Sequence, residues 1–135
     1  MIGLLFAGVM ALVCVLVHFE ALLLTKRLTY RVTRLRWSLL VTWIILLSAH
    51  VLQIWLYAAV YWLCGQLGIG QLVGIDRALD YVYFSSVVYT TLGFGDIVPD
   101  AGVSVLAGSE ALVGLCLIAW SATVTYGHFS NWRET

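Results

Sequence analysis

The sequence predicts an all-α membrane protein: three transmembrane helices, with one short re-entrant helix between the second and the third. Three observations predict it. The 135 residues are 62% hydrophobic and only 10% charged, with a mean hydropathy of +0.98. A soluble domain of this size needs far more charge to cover its surface. Three apolar runs, residues 2–24, 38–64 and 103–127, are each long enough to cross a hydrocarbon core of roughly 30 Å as a helix. The charges sum to zero, yet they are segregated along the chain, which matters more than their sum.

The first run, 2–24, does not read as a cleaved leader. No basic residue precedes it, it is too long, and no small-x-small site follows. His18 and Glu20 lie in its last third. A carboxylate deep in lipid costs roughly 2.5–3.5 kcal/mol, so Glu20 either reaches the interface or meets a partner. The interfacial reading is the plainer one, and a proton-sensing pair with His18 is the sharper alternative. Residues 25–37 carry Lys26, Arg27, Arg31, Arg34 and Arg36 with no acid among them. The positive-inside rule places this loop in the cytoplasm and the N-terminus outside. Arg27, Arg31 and Arg34 recur at helical spacing, as do Leu28, Val32 and Leu35. An amphipathic turn on anionic headgroups is therefore an alternative to a plain topology signal.

In the second run, 38–64, Trp37 marks the inner edge, and Tyr57, Tyr61 and Trp62 mark the outer third. His50 and Gln53 sit mid-span, one turn apart, and read as hydrogen-bonding across helices rather than as metal ligands. Cys14, Cys64 and Cys116 fall in three different apolar segments with no metal spacing. They read as packing residues, with contact to another subunit's cysteine an alternative for Cys64. Residues 65–77 contain Gly65, Gly68, Gly70 and Gly74 and read as an exposed loop. Asp76 or Asp80 is the candidate cap of the next helix. That helix, 78–90, is too short to span and reads as re-entrant. Its C-terminal end points a partial negative charge at the membrane centre, a favourable field for a dehydrated cation.

The helix leads into Thr91-Leu92-Gly93-Phe94-Gly95-Asp96 and on to Pro99. Alternating glycines allow backbone dihedrals that side-chained residues resist. Such a ribbon can turn successive carbonyls toward one line and replace the hydration shell of a cation. The hexapeptide resembles the potassium-channel signature T-V-G-Y-G-D, with Leu for Val and Phe for Tyr. The resemblance covers residues 76–127, the pore module of the two-transmembrane potassium channels, here with an extra N-terminal helix. It implies a tetrameric pore architecture in which the chain joins three further copies of itself. The division it implies is a first helix and basic loop (1–37), a pore domain (38–127) and a short cytoplasmic tail (128–135). Within the pore domain come an outer helix (38–64), a turret (65–77), a pore helix (78–90), a filter (91–96) and an inner helix (103–127).

The resemblance also assigns roles. Carbonyls of Thr91, Leu92, Gly93 and Phe94, with the Thr91 hydroxyl, coordinate K+, and Gly95 completes the filter. Leu92 and Phe94 pack behind it. Asp96 stands at the outer mouth, where Asp76, Asp80 and Asp100 face a single Arg77 and concentrate cations. Phe94 lacks the family hydroxyl and the matching position Phe84 lacks a donor, so the pair reads as swapped together into an apolar contact. Tyr83 remains, its hydroxyl expected on Asp96. Val87 replaces a filter-supporting carboxylate of some relatives, and Glu110 is the candidate substitute. A lone carboxylate in the third run must face protein or water. Gly108 and Gly114 are candidate hinges, and Thr123 and Tyr126 are candidates for the exit or gate.

The expected function is a potassium-selective channel with no cofactor, integral to the cell membrane. A weakly selective cation channel and a non-conducting membrane subunit are the alternatives. An enzyme is not expected, since there is no nucleophile–base pair, and Gly93-x-Gly95 lacks the strand–turn–helix setting of a nucleotide loop. Nothing points to nucleic acid. The first helix is expected at the periphery, touching lipid and the second.

Overall fold

A computed structural model describes residues 2–30 and 34–133. Its elements are α1 (Ile2–Thr29), α2 (Leu35–Gln66), β1 (Leu72–Val73), α3 (Ala78–Tyr89), β2 (Val98–Pro99) and α4 (Ser104–Arg133). Three of the helices are long and apolar enough to cross a membrane: Gly3–Thr29, Leu35–Gln66 and Ser104–Gly127. At 32 residues, α2 is about 48 Å long, which exceeds the hydrocarbon thickness and requires tilt or protruding ends.

The helices outrun the apolar segments that announced them. α1 continues past residue 24 through Lys26 and Arg27. Thr25 and Thr29 return their hydroxyls to the carbonyls of Ala21 and Thr25, at 2.9 and 2.8 Å. The polar residues thus satisfy themselves along the helix, and the two cations sit in the last turn, where the helix dipole favours them. Arg27 therefore belongs to α1 and Arg34 is the N-cap of α2. The amphipathic turn expected across Arg27, Arg31 and Arg34 is not one element, and Arg31 and Val32 lie outside the described residues. α4 likewise runs through the expected tail as far as Arg133.

α1 is not confined to the periphery. It packs against α2 and also against α4. Its Ala7, Met10 and Cys14 are buried with Tyr57, Tyr61 and Cys64 of α2, with Val103 just before α4, and with Leu106 and Leu117 of α4. α3 lies between α2 and α4 and adds Phe84 to the same core. A small antiparallel ladder, Leu72 opposite Pro99 and Val73 opposite Val98, ties the turret to the segment after the hexapeptide. Two-residue strands carry no periodicity, so the sequence gives no sign of them. The ladder holds the ribbon at its far end, while α3 holds it at the near end.

Candidate functional site

The site begins at the N-terminus of α3. The N-cap is Arg77 rather than either expected aspartate. Asp80, at the third helical position, reaches back instead. Its carboxylate accepts the backbone N–H of Arg77 at 2.8 Å and of Asp76 at 3.0 Å. These bonds hold the Asp80 carboxyl below its ordinary range, the nearby Arg77 guanidinium adding to the effect.

The C-terminus of α3 sets the ribbon. Leu92 N–H donates to the Val87 carbonyl and Thr91 N–H to the Val88 carbonyl, both at 2.9 Å. This is the paired 6→1 and 5→2 closure of a helix, with Thr91 at the position that usually takes glycine. Thr91 has φ +61°, and Gly93 and Gly95 follow at +60° and +80°. Thr91 is the one non-glycine residue described with positive φ. A β-branched residue in that region is an outlier costing of order 1–3 kcal/mol, and such strain is characteristic of functional sites.

φ thus alternates in sign from Thr91 to Gly95. Residues of alternating hand turn successive carbonyls to one side of a ribbon, whereas residues of one hand wind them around a helix. The N–H groups of Thr91 and Leu92 are spent on α3. No hydrogen bond among the described residues reaches the carbonyls of Thr91–Gly95. All of residues 91–96 are exposed on the single chain.

Around the ribbon, the Tyr83 hydroxyl donates to Asp96 Oδ2 at 2.8 Å, the contact expected from the sequence. That bond to a carboxylate raises the Tyr83 phenol above its ordinary range. Within the single chain no Phe84–Phe94 ring contact is formed. Phe84 is buried edge-on against Tyr61 of α2, with centroids 5.1 Å apart. Phe94 and Leu92 are 65% and 63% exposed, so the chain alone supplies no packing behind the ribbon for them. Val87 is buried and, with Tyr83, Phe84, Gly93 and Ile97, lines a cavity of about 210 Å³.

Glu110 does not reach that cavity. It is fully buried and accepts the Tyr61 hydroxyl at 2.6 Å and the Ser85 hydroxyl at 2.5 Å. It ties α4 to α2 and α3 through these two bonds, with Ser85 six residues before the ribbon. Gly114 meets α3 at the other end. A Cβ there would lie 2.2 Å from the Tyr89 carbonyl oxygen, so only glycine permits this approach. Gly108 faces open space, and α4 stays helical through both glycines.

A family model described as an ion channel matches residues 45–130, from mid-α2 to near the end of α4. The chain belongs to that family. It is the family of two-transmembrane potassium-channel pores, and the N-terminal α1 is additional to the matched module. No curated protein and no solved structure matches the chain.

The remaining candidates of this channel chain divide clearly. His18 is fully buried, while Glu20 is exposed. Residues two apart on a helix point to different faces, so the alternative His18/Glu20 pair is not formed, and the exposed Glu20 fits the plainer, interfacial reading. Thr123 and Tyr126 are exposed on the C-terminal half of α4. His50 and Gln53 do bond across helices, and their partners include Tyr89, Ser121 and the Cys14 carbonyl. Tyr89 and Ser121 had no sequence signal of their own, since neither is unusual in an apolar helix.

Proposed function

We propose that four copies of this ion channel chain surround one axis and pass potassium ions between their Thr91–Gly95 ribbons. The observation that carries the reading is the row of unpaired carbonyls on a ribbon of alternating hand. Enclosed by three more copies, such oxygens would be costly without a cation to take the place of water. The strain accepted at Thr91 supports a role for its hydroxyl at the inner end of the row, where glycine would otherwise serve.

Other features agree. The exposed Leu92 and Phe94 are apolar surface that neighbouring copies would cover. α3 aims its C-terminal partial charge at the start of the ribbon. Asp76, Asp80, Asp96 and Asp100 give the outer mouth an acidic character that gathers cations. The basic residues Lys26, Arg27, Arg34 and Arg36 at the opposite ends of α1 and α2 support a cytoplasmic assignment of that side, near anionic lipid headgroups. The ion trades water for carbonyls and moves on by repulsion from the next ion, with no bond chemistry and no cofactor.

The test is flux from purified protein in liposomes, with reversal potentials in mixed potassium and sodium. Preference for potassium of at least about tenfold, about 1.4 kcal/mol, is expected. Equal permeation would establish a non-selective cation channel instead. Absence of flux at every pH would leave a non-conducting membrane subunit.

A further inference from the structure

A polar chain runs through the apolar interior where all four helices meet. Gln53 Nε2 donates to the Cys14 carbonyl at 3.0 Å. A carbonyl only accepts, so this bond fixes the amide orientation and turns Gln53 Oε1 toward Tyr89. The Tyr89 hydroxyl donates to that oxygen at 2.5 Å. Its one proton is spent, so it accepts from His50 Nδ1 at 2.8 Å. His50 therefore carries its proton on Nδ1, and its bare Nε2 accepts the Ser121 hydroxyl at 3.0 Å. Ser121 Oγ in turn accepts from His18 Nε2 at 3.2 Å.

Donor counting thus gives every bond one direction. The chain starts on α1 at His18, crosses α4 at Ser121, α2 at His50, α3 at Tyr89 and α2 again at Gln53. It returns to α1 at Cys14, one turn before His18. One atom is left over: His18 Nδ1 is buried with no partner among the described residues. It is the open proton-accepting position of the neutral chain.

We propose that this chain is a proton-operated coupling: His18 of α1 receives the proton, and the hold of α1 on Ser121 of α4 and Tyr89 of α3 is what changes. A protonated His18 would bear a charge and an Nδ1–H donor with no acceptor, each costly in a dry interior. It would also face the His50 ring, 5.1 Å away between centroids. The arrangement relieves this by separating α1 from its neighbours or by admitting water. Either change reaches Tyr89, two residues before the ribbon, and the C-terminal half of α4.

The titratable groups around His18 are few. α2 presents His50, and α3 presents Tyr89 beyond it. On α1, Cys14 lies one turn away and Glu20 on the exposed face. α4 presents Trp120 and Ser121, which do not titrate, and its Glu110 is held by Tyr61 and Ser85. Among the described residues, no carboxylate is hydrogen-bonded or ion-paired to His18.

The coupling bears on conduction only through the channel reading above, so the test has two arms. In the first, flux through the reconstituted full chain is compared at about pH 8 and about pH 4, from above the ordinary histidine range to well below it, because a charge in a dry interior is costly. Wild-type flux is expected to change by at least about threefold between them, and His18→Gln by less than about 1.3-fold, with ion preference unaltered. Glutamine can offer an N–H where His18 Nε2 does and takes no proton. Equal pH responses in the two proteins, or none in the wild type, overturn the proposal.

The second arm needs no conduction. The Trp120 ring lies 5.7 Å from His18, and imidazolium quenches indole emission. The Trp120 contribution, taken as wild type minus Trp120→Phe, is expected to fall on acidification, and constancy across that range overturns the coupling. If the wild type passes no ions at any pH, the channel reading fails and the emission alone decides.

Discussion

Glu110 shows how much one buried residue sets in this chain. It is the one carboxylate within a membrane-crossing stretch of α4, and it survives there because two hydroxyls from two other helices close on it. Replacing it with leucine leaves the Tyr61 and Ser85 hydroxyls without that acceptor, although Ser85 also reaches the Ile54 carbonyl at 2.8 Å. An unsatisfied buried hydroxyl costs about 1–3 kcal/mol. Glu110→Leu is expected to lose stability on that order, read as a lowered midpoint of thermal unfolding in detergent, while Glu110→Gln loses less. At Tyr83 the expected effect is on conduction. Tyr83→Phe frees Asp96, and current under sustained drive is expected to decline about threefold faster, in keeping with one net hydrogen bond. The same bond predicts a signature in base. The folded phenol titrates above its usual range, so the contact persists through the ordinary tyrosine range and fails only above it. Asp80 has the opposite sign: its hold on the α3 N-terminus is present above the ordinary carboxylate range and is lost as pH falls through its lowered value.

Among the elements, α3 and α4 meet at a contact that admits no side chain. Gly114→Ala puts a methyl group against the Tyr89 carbonyl, and overpacking of this kind costs about 1–3 kcal/mol. Reduced flux and reduced thermal stability are expected together. Gly108→Ala, which meets nothing within 4 Å, is expected to leave both near wild type, and its better helix propensity favours the helix slightly. What the sequence disclosed follows the same division between local and distant. The three spans, the short helix and the glycine-punctuated ribbon were legible because hydropathy and backbone freedom are written in consecutive residues. The plainer reading of Glu20 as interfacial fits its exposure, and the alternative pairing with His18 fails because nearness in sequence is not nearness on a helix face. The chain from His18 to Ser121 joins residues 103 apart, and nothing in either neighbourhood announces it. The contact of Phe84 with Tyr61 was not legible because Tyr61 lies on a different helix, 23 residues earlier.

At the scale of the whole molecule, the single chain presents its most constrained backbone to the outside. Residues 91–96, Leu92 and Phe94 among them, are exposed, and on the proposed channel reading a line of oxygens needs more than one copy. Native mass measurement in mild detergent is expected to give four times the 15.0 kDa chain, and a stable monomer or dimer would contradict the fourfold arrangement. The extra helix α1 belongs to this account rather than to its margin, since it touches both the outer and the inner helix of the matched module.

The glycine contact between α4 and the end of α3 has one more implication. Where two rods touch backbone to backbone no side chain takes up a shift, so Gly114 would be the fulcrum of any tilt of α4. If the far end of this lever swings outward, the near arm presses or releases Tyr89, and the ribbon that starts two residues later feels the motion. Widening of the inner vestibule and the shape of the ion row would then be two readings of a single mechanical angle.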